Sequence, residues 1–290
     1  MTSVGPHRDA SVVAIDIGGT KVDVAIVLAD GSITERDRID VRGAGEHLFD
    51  DIARLVRERS AQVGVSAVGV ACAGPMTQGG VEVSPINIPQ WQRFPLAASL
   101  RACAAVPVFI DGDVRALALA EGRFGSAVGV ANYASLVVST GVGGALVLDG
   151  SLLNGATGNS GHLGHLTVAD PGHQCSCGAR GCLEAEVSGW AIRKNYGIAP
   201  ESASEEIRHR VATLVGSAIG TLASVLDFTQ CFVGGSVALG FGPSFFATAT
   251  EAARERVGLS FARDVVVRPT GLGVDGSLLG AALVAWRGLS

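Results

Sequence analysis

The amino-acid sequence predicts an α/β fold made of two related lobes that face a cleft. Three observations lead to this prediction. Strand-like and helix-like patterns alternate along the 290 residues. The strand, glycine turn and strand of residues 12–28 recur at residues 134–148, about 120 residues later, and both copies continue into Asp-Gly-Ser. Hydrophobic residues make up 48% of the chain and charged residues 17%, which is the composition of a protein with a buried core.

Hydrophobic periodicity then assigns the elements in chain order. Two strands flank Gly18-Gly19-Thr20-Lys21. Further strands are expected over 66–72, 107–110 and 265–268, and another is expected to end at residues 232–236. Residues 134–148 are expected to form a second pair of strands around a glycine turn. Helices are expected over 45–60, 95–105, 112–121, 201–226, near 243–257 and 276–287. We expect residues 1–117 and the C-terminal helix 276–290 to form a small lobe, and residues 118–275 a larger one.

Composition and charge exclude several classes of protein. The net charge is −5 and no basic patch stands out, so nucleic acid is not expected as a partner. The first ten residues lack the apolar core of a signal peptide. Residues 124–148 carry no charge, but their glycines and polar residues favour a buried hairpin over a membrane helix. We therefore expect a cytoplasmic protein, without a membrane partner, whose six cysteines are reduced thiols or metal ligands.

The glycine turns are candidates for binding phosphate. Asp16 ends an apolar strand, where a carboxylate is costly unless it holds a cation. The backbone amides of Gly18 and Gly19 could approach an anion, and Thr140-Gly141 and Gly234-Gly235 offer further sets. The competing interpretation is a plain hairpin turn that needs glycine for a positive φ.

A cluster of histidine and cysteine residues predicts a metal site. His165, Cys175, Cys177 and Cys182 supply one imidazole and three thiolates, a closed tetrahedral set that favours a structural Zn²⁺. His173 is a competing imidazole, and free thiols without a metal are the plainer alternative.

Two aspartates follow the strand expected at 107–110. Asp111 and Asp113 are both candidates for the general base of a transfer reaction, and both are also candidates for simple helix capping.

Motifs along nearly the whole chain, from about residue 12 to residue 286, resemble the ROK family of sugar kinases and related repressors. These motifs are DIGGTK, STGVGG, CSCGARGCLE, VGGS and GSLLGAA. The resemblance implies a ribonuclease-H-like fold of the actin and hexokinase type, ATP with Mg²⁺, and a sugar hydroxyl as phosphoryl acceptor. Only about ten residues precede the first strand, which is too few for the DNA-binding domain of the repressor branch. A homodimer is implied by the family alone.

The same resemblance assigns roles to individual residues. The family pattern Asn-Asp-x-Asn, eight residues before a Glu, places the catalytic aspartate at Asp113, while Gly112 and Arg115 replace the two asparagines. The implied nucleotide-binding residues are Asp16, Gly18, Gly19, Thr20, Lys21, Thr140, Gly141, Gly143, Gly234 and Gly235. The implied sugar-binding residues are Asn87, Asp113, His162, His165 and Glu184.

The segment GHLGH, residues 161–165, resembles that of bacterial N-acetylmannosamine kinases, whereas the pattern of most ROK glucokinases would place Glu where His162 stands. We therefore expect phosphorylation of the C6 hydroxyl of a hexose or N-acylhexosamine, with N-acetylmannosamine as the best candidate. A glucokinase and a non-catalytic sugar sensor are the alternatives.

Overall fold

The computed structural model describes residues 10–85 and 88–290. It forms two units. The first joins the residues up to Phe124 with Asn154–Asn159 and Leu272–Ser290, and the second joins Gly125–Leu153 with Ser160–Gly271. The expected boundary between residues 117 and 118 falls inside a helix, Asp113–Phe124, which lies wholly in the first unit.

The first unit contains a five-stranded sheet with helices on both faces. Its strands are β1 (Ser11–Ile17), β2 (Lys21–Val27), β3 (Ile33–Asp40), β4 (Val65–Cys72) and β5 (Val108–Gly112). Their order is β3-β2-β1-β4-β5, with β1, β2 and β3 antiparallel and β4 and β5 parallel to β1. The helices are α1 (Val41–Ala44), α2 (Leu48–Ser60), α3 (Leu96–Cys103), α4 (Asp113–Phe124) and α10 (Gly276–Gly288).

Strand β1 is buried on both faces, and alternate residues along it belong to two separate hydrophobic cores. Val13 and Ile15 pack with α2 and α3, whereas Val12 and Ala14 pack with α4 and α10. Helix α10 lies so close to β4 that a Cβ on Gly69 would collide with the carbonyl of Ala281. The small residues of the terminal GSLLGAA motif are therefore packing residues as well as a family signature.

The second unit repeats this topology. Its strands are β6 (Tyr133–Val138), β7 (Val142–Leu148), β8 (Ser151–Leu152), β9 (Gln230–Gly234) and β10 (Val266–Pro269). Their order is β10-β9-β6-β7-β8, which matches the first sheet when β6, β7 and β8 are paired with β1, β2 and β3. The duplication expected from the two hairpins is confirmed. The helices are α5 (Leu183–Val187), α6 (Gly189–Tyr196), α7 (Glu205–Leu226), α8 (Ser236–Phe241) and α9 (Pro243–Arg256).

Helix α7 is the central core helix of the second unit. Within the described residues it is the one helix long and apolar enough to cross a membrane by length and composition. However, Gly216 and Gly220 bring it against the backbone of α9 at Ala249 and Ala253, so its apolar face serves the core. It begins at Glu205, four residues later than expected, because Ser204 caps it by accepting from the backbone N–H of Ile207.

Candidate active site

In the first unit, the carboxyl ends of three parallel strands bring the predicted acidic residues together. The β1–β4–β5 register aligns Asp16 with Ala71 and Ala71 with Asp111. Asp113 follows at the first position of α4. Side chains in one row of a parallel sheet point to the same face. The topology therefore collects Asp16, Asp111 and Asp113 at one edge.

Asp16 and Asp113 are neighbouring carboxylates that burial makes hard to ionise. Burial, followed by the nearby charge of Asp113, raises the pKa of Asp16 to about 7. A hydrogen bond from Ser277, near the start of α10, opposes this rise. Burial also raises the pKa of Asp113 against the backbone hydrogen bond from Val114. Two such carboxylates without a cation between them form a site suited to a bound cation.

Asp111 has a different environment from Asp113. Its Oδ1 accepts from the Nε of Arg115 at 2.6 Å and from the backbone N–H of Gly112 at 2.8 Å. By contrast, no ion pair includes Asp113 among residues 10–85 and 88–290. Of the two candidate bases, Asp111 is neutralised and Asp113 is not.

The first glycine turn joins β1 to β2. The backbone N–H of Gly18 donates to the carbonyl of Lys21 at 3.1 Å, and neither Gly18 nor Gly19 has a positive φ. The turn therefore does not owe its glycines to a left-handed backbone, which was the plain alternative to phosphate binding. Thr20 is exposed, and its carbonyl accepts from Val41.

Lys21 is not an isolated cation. Its Nζ lies 3.1 Å from Asp23, a carboxylate that is 1% exposed and also receives Arg36 and Arg38. Burial of Asp23 is outweighed by hydrogen bonds from Arg38, Arg36 and Lys21, which hold its pKa far below its usual range. Three cations thus surround one carboxylate beside the first turn, and Arg36 also pairs with Asp275 at 2.7 Å. The expected sugar residue Asn87 lies outside the described residues.

In the second unit, Thr140 and Gly141 form the turn between β6 and β7. The backbone N–H of Val142 donates to Oε2 of Glu184 at 2.9 Å, and a Cβ on Gly141 would lie 2.9 Å from the same oxygen. Glu184 therefore holds this turn through at least one of its two oxygens. Gly143 is the second residue of β7, paired with Val137.

A cavity of about 190 Å³ lies beside this turn. It is lined in part by Ser139, Thr140, Gly189, Arg193, Glu201 and Ser236. Gly234 ends β9, and Gly235 follows with a φ of 96° in a position where a Cβ would collide with Val138. Of the predicted nucleotide-binding residues, Thr140 lines the cavity, and Gly235 directly precedes the lining residue Ser236. Sequence reasoning missed Arg193 and Glu201, for which no local motif is evident, and it missed Ser236 although that residue ends the VGGS motif.

Glycines also fix the loop that carries His162 and His165. Gly161 has a φ of 100°, and a Cβ on it would lie 2.6 Å from the carbonyl of Gly144 on β7. A Cβ on Gly164 would collide with the carbonyl of Val142. The loop therefore lies directly on β7. Both histidine rings are exposed, with their centroids 6.1 Å apart.

The predicted metal ligands converge. One ligand atom from each of His165, Cys175, Cys177 and Cys182 lies within 4.8 Å of all the others. The Sγ of Cys175 is 3.7 Å from Nδ1 of His165, and the Sγ atoms of Cys177 and Cys182 are also 3.7 Å apart. Tetrahedral zinc with Zn–S bonds of about 2.3 Å has S···S edges of about 3.8 Å. The donor set and its spacing fit zinc, with Nδ1 of His165 turned inward.

The competing imidazole is engaged elsewhere. Nδ1 of His173 lies 3.0 Å from both carboxylate oxygens of Glu186, whose side chain is 1% exposed. Arg210 on α7 donates to the same carboxylate at 2.8 Å. His173 therefore anchors the cysteine loop to the core of the second unit.

The sequence and the fold are both similar to those of known proteins. The ROK family profile matches residues 12–287. An N-acetylmannosamine kinase from Pasteurella multocida is 33% identical over 93% of this chain and 94% of its own length. The crystal structure of a ROK hexokinase from Thermus thermophilus superposes with a TM-score of 0.85 and 30% identity, covering 96% of this chain and 99% of that one.

A ROK glucokinase from Streptomyces griseus, solved in complex with glucose and AMPPNP, superposes with a TM-score of 0.80 and 26% identity. The alignment covers 96% of this chain and 99% of the glucokinase. The fold is therefore the two-lobed α/β fold of the ROK hexokinases. The three relatives described above are named as sugar kinases, and the chain belongs to the ROK family.

Proposed function

We propose that this ROK-family sugar kinase transfers the γ-phosphoryl group of ATP to the C6 hydroxyl of N-acetylmannosamine. The observation that carries the proposal is the contrast between Asp111 and Asp113. Asp111 lies near the end of β5 and Asp113 directly follows that strand, but of the two only Asp111 is neutralised by a salt bridge, 2.6 Å from Arg115. Asp113 remains available to accept a proton.

Phosphoryl transfer needs little covalent help from a protein, because positioning and charge neutralisation supply most of the rate. Asp113 accepts the proton of the attacking hydroxyl. Its raised pKa makes it a stronger base than a water-exposed aspartate. Asp16 would hold Mg²⁺ beside the phosphates. The amides of Gly18 and Gly19 in one unit, and of Thr140 and Gly141 in the other, would bind phosphate oxygens, and Gly143, Gly234 and Gly235 would complete the nucleotide site.

Zinc would be held by His165, Cys175, Cys177 and Cys182. Four protein ligands close its coordination sphere, so the ion braces the loop and takes no part in the reaction. With Nδ1 of His165 directed to the metal, its Nε2 is left for the sugar. Glu184 and Asn87 are the other proposed sugar contacts.

The preference for an N-acyl sugar rests on His162. An ionised carboxylate only accepts hydrogen bonds, whereas a neutral imidazole donates from one nitrogen and accepts at the other. An acetamido carbonyl needs a donor. The similarity to an N-acetylmannosamine kinase points the same way. The similarity to a glucokinase supports glucose as the second candidate.

The test is a sugar panel with the purified protein, following ADP release. N-acetylmannosamine should give a higher kcat/KM than glucose, and a clear preference for glucose would refute the substrate assignment. ADP release that depends on added sugar would eliminate the non-catalytic sensor, whereas sugar binding without any ADP release would support it. Native mass spectrometry and cell fractionation would test the proposed homodimer and cytoplasmic location.

Asp113→Asn tests the proposed base. We expect kcat to fall by about 10² to 10⁴-fold, because general-base catalysis contributes that much, while the thermal midpoint stays close to that of the parent. The control is Asp264→Asn, an exposed aspartate of the second unit. Full activity of Asp113→Asn together with loss in Asp111→Asn would assign the role to Asp111.

A further inference from the structure

The junction between β5 and α4 contains a glycine that its backbone does not require. Gly112 is not in the left-handed region of φ, so a side chain there would meet no backbone strain. A Cβ on Gly112 would instead meet the stem of Arg115. The Cβ, Cγ and Cδ atoms of Arg115 lie 3.9, 3.8 and 3.4 Å from that position. The arginine stem thus covers the direction in which a side chain at position 112 would leave the backbone.

Arg115 is itself unusual at its position. It is the third residue of α4, where the helix dipole disfavours a cation. Its side chain is only 11% exposed. Nε lies 2.6 Å from Oδ1 of Asp111, and Nη2 lies 2.7 Å from Oδ1 of Asn154. Asp111 compensates the charge, and the planar guanidinium holds both partners in a fixed geometry.

These contacts flank the proposed catalytic position along the chain. In sequence, Asp113 lies between the two partners of the Asp111–Arg115 salt bridge, so the ion pair fixes the β5–α4 junction from which its side chain extends. The Arg115–Asn154 bond reaches further along the chain. Segment Asn154–Asn159 belongs to the first unit, although the residues on both sides of it belong to the second. This segment leads directly into the loop that carries His162.

We propose that Arg115 is a positioning residue and that Gly112 and Arg115 form a matched pair. The pair orients Asp113 through Asp111 and holds the start of segment 154–159 through Asn154. A Cβ at position 112 would already be in van der Waals contact with the stem of Arg115, so a longer side chain there would compete with the arginine for space. The arginine in turn fixes a junction that glycine alone would leave loose. This inference rests on the proposed function for its effect on turnover, but the pairing itself does not.

The test is a double-mutant cycle with Gly112→Asn, Arg115→Asn and the double variant. Each single change should lower kcat/KM for the sugar at least tenfold. Gly112→Asn would crowd Arg115, and Arg115→Asn would remove the salt bridge that fixes the junction. A small misplacement of a catalytic group can lower the rate about 10²-fold. The kcat/KM of the double variant should be at least tenfold higher than that of the less active single variant. The KM for ATP should change less than twofold throughout. Arg123→Asn, at the exposed other end of α4, is the matched control and should match the parent.

If the loss of kcat/KM in the double variant equals the product of the two single losses, the proposal that Gly112 and Arg115 are a matched pair is refuted. Full activity of Arg115→Asn would refute it as well. Arg115→Lys separates charge from geometry. It keeps the cation but cannot bridge Asp111 and Asn154 as a planar fork does, so we expect it to remain impaired. Rescue by lysine would mean that charge alone matters and would refute the positioning role.

The same cycle distinguishes failure of this inference from failure of the proposed function. If the parent protein phosphorylates no sugar, the proposed function fails. The cycle is then measured in free energies of unfolding. Non-additive changes would uphold the Gly112–Arg115 pair, and additive changes would refute it.

Discussion

Three aspartates at the edge of the first sheet show how a carboxylate is accommodated in a core. Asp23 is surrounded by three cations, and Asp111 is paired with Arg115. Asp16 receives the hydroxyl of Ser277 and only the more distant charge of Lys21. Because charge compensation is weakest at Asp16, that position is the natural place for an external cation.

Asp23 should be a strong stabilising residue with a predictable pH dependence. Replacing it with asparagine should lower the free energy of unfolding at pH 7 by about 2 kcal/mol, since hydrogen bonds to charged groups contribute about 1.5 to 3 kcal/mol and the cations left behind are partly exposed. Its pKa is lowered on folding. The contribution is therefore complete above the unfolded pKa of about 4 and is lost as the pH falls towards the folded pKa.

Urea unfolding of the parent and of Asp23→Asn between pH 7 and pH 3 would measure this effect. The gap between the two proteins should narrow below about pH 4. Asp264→Asn is again the control and should track the parent. A gap that widens in acid would contradict the sign of the linkage.

Candidate site residues could be identified one by one from the sequence, but the ion pairs that they form could not. Asp16 was identifiable because a carboxylate at the end of an apolar strand is conspicuous, whereas Asp113 was preferred over Asp111 through the resemblance to the family motif. The pairing of Asp111 with Arg115, and the capture of Lys21 by Asp23, could not be predicted. Both depend on where a long side chain turns, which is decided by tertiary neighbours and not by spacing along the chain.

At the level of elements, hydrophobic periodicity found the buried strands and the long helices. It missed β3, whose sequence ITERDRID is charged and almost wholly exposed. That strand is defined by its pairing with β2 and not by its own hydrophobicity. The short helices α5, α6 and α8 were missed because five to eight residues carry too little periodic signal.

The cysteine loop depends on Glu186 for its attachment to α7. We expect Glu186→Ala to release zinc to a chromogenic chelator at least tenfold faster than the parent, since removing supporting contacts around a metal site typically costs about 10 to 100-fold in affinity. Arg210 and His173 are each nearly half exposed, so both can hydrate when the carboxylate is lost and the fold should survive.

Two controls accompany that experiment. Glu251→Ala, on the exposed side of α9, should release zinc at the parental rate. Metal analysis of the purified parent should give one zinc per chain. Unchanged release from Glu186→Ala would show that the loop is held by its metal alone.

At the level of the whole molecule, the two units are interleaved in sequence. The chain leaves the first unit after Phe124, returns for Asn154–Asn159, and returns again at Leu272. The duplicated hairpins predicted two lobes, and the C-terminal helix lies in the first unit with the N-terminal part. Segment 154–159 was not expected there, because it carries no local signal and is assigned by contacts such as that between Arg115 and Asn154.

This interleaving predicts that the first unit cannot fold without the end of the chain. Helix α10 covers Val12 and Ala14 on β1 and packs against Ala116 of α4, so a chain ending at residue 271 would expose that core. We expect the truncated protein to be insoluble or to lose protection against hydrogen exchange in β1 and β4, even though every residue of the second unit is present. A truncated chain with native protection in β1 would contradict this expectation.

A circular permutant separates loss of α10 from loss of the natural chain end. The Nε1 of Trp286 donates to the carbonyl of Ala10 at 2.9 Å, so the two ends of the described chain lie close together and a short linker can join Ser290 to Ala10. New ends at Gly258, an exposed residue with open space around it, cut no helix or strand. Because α10 is retained, we expect the permutant to fold with parental protection in β1 and β4. A permutant as disordered as the truncated chain would show that chain order, and not the packing of α10, holds the first unit together.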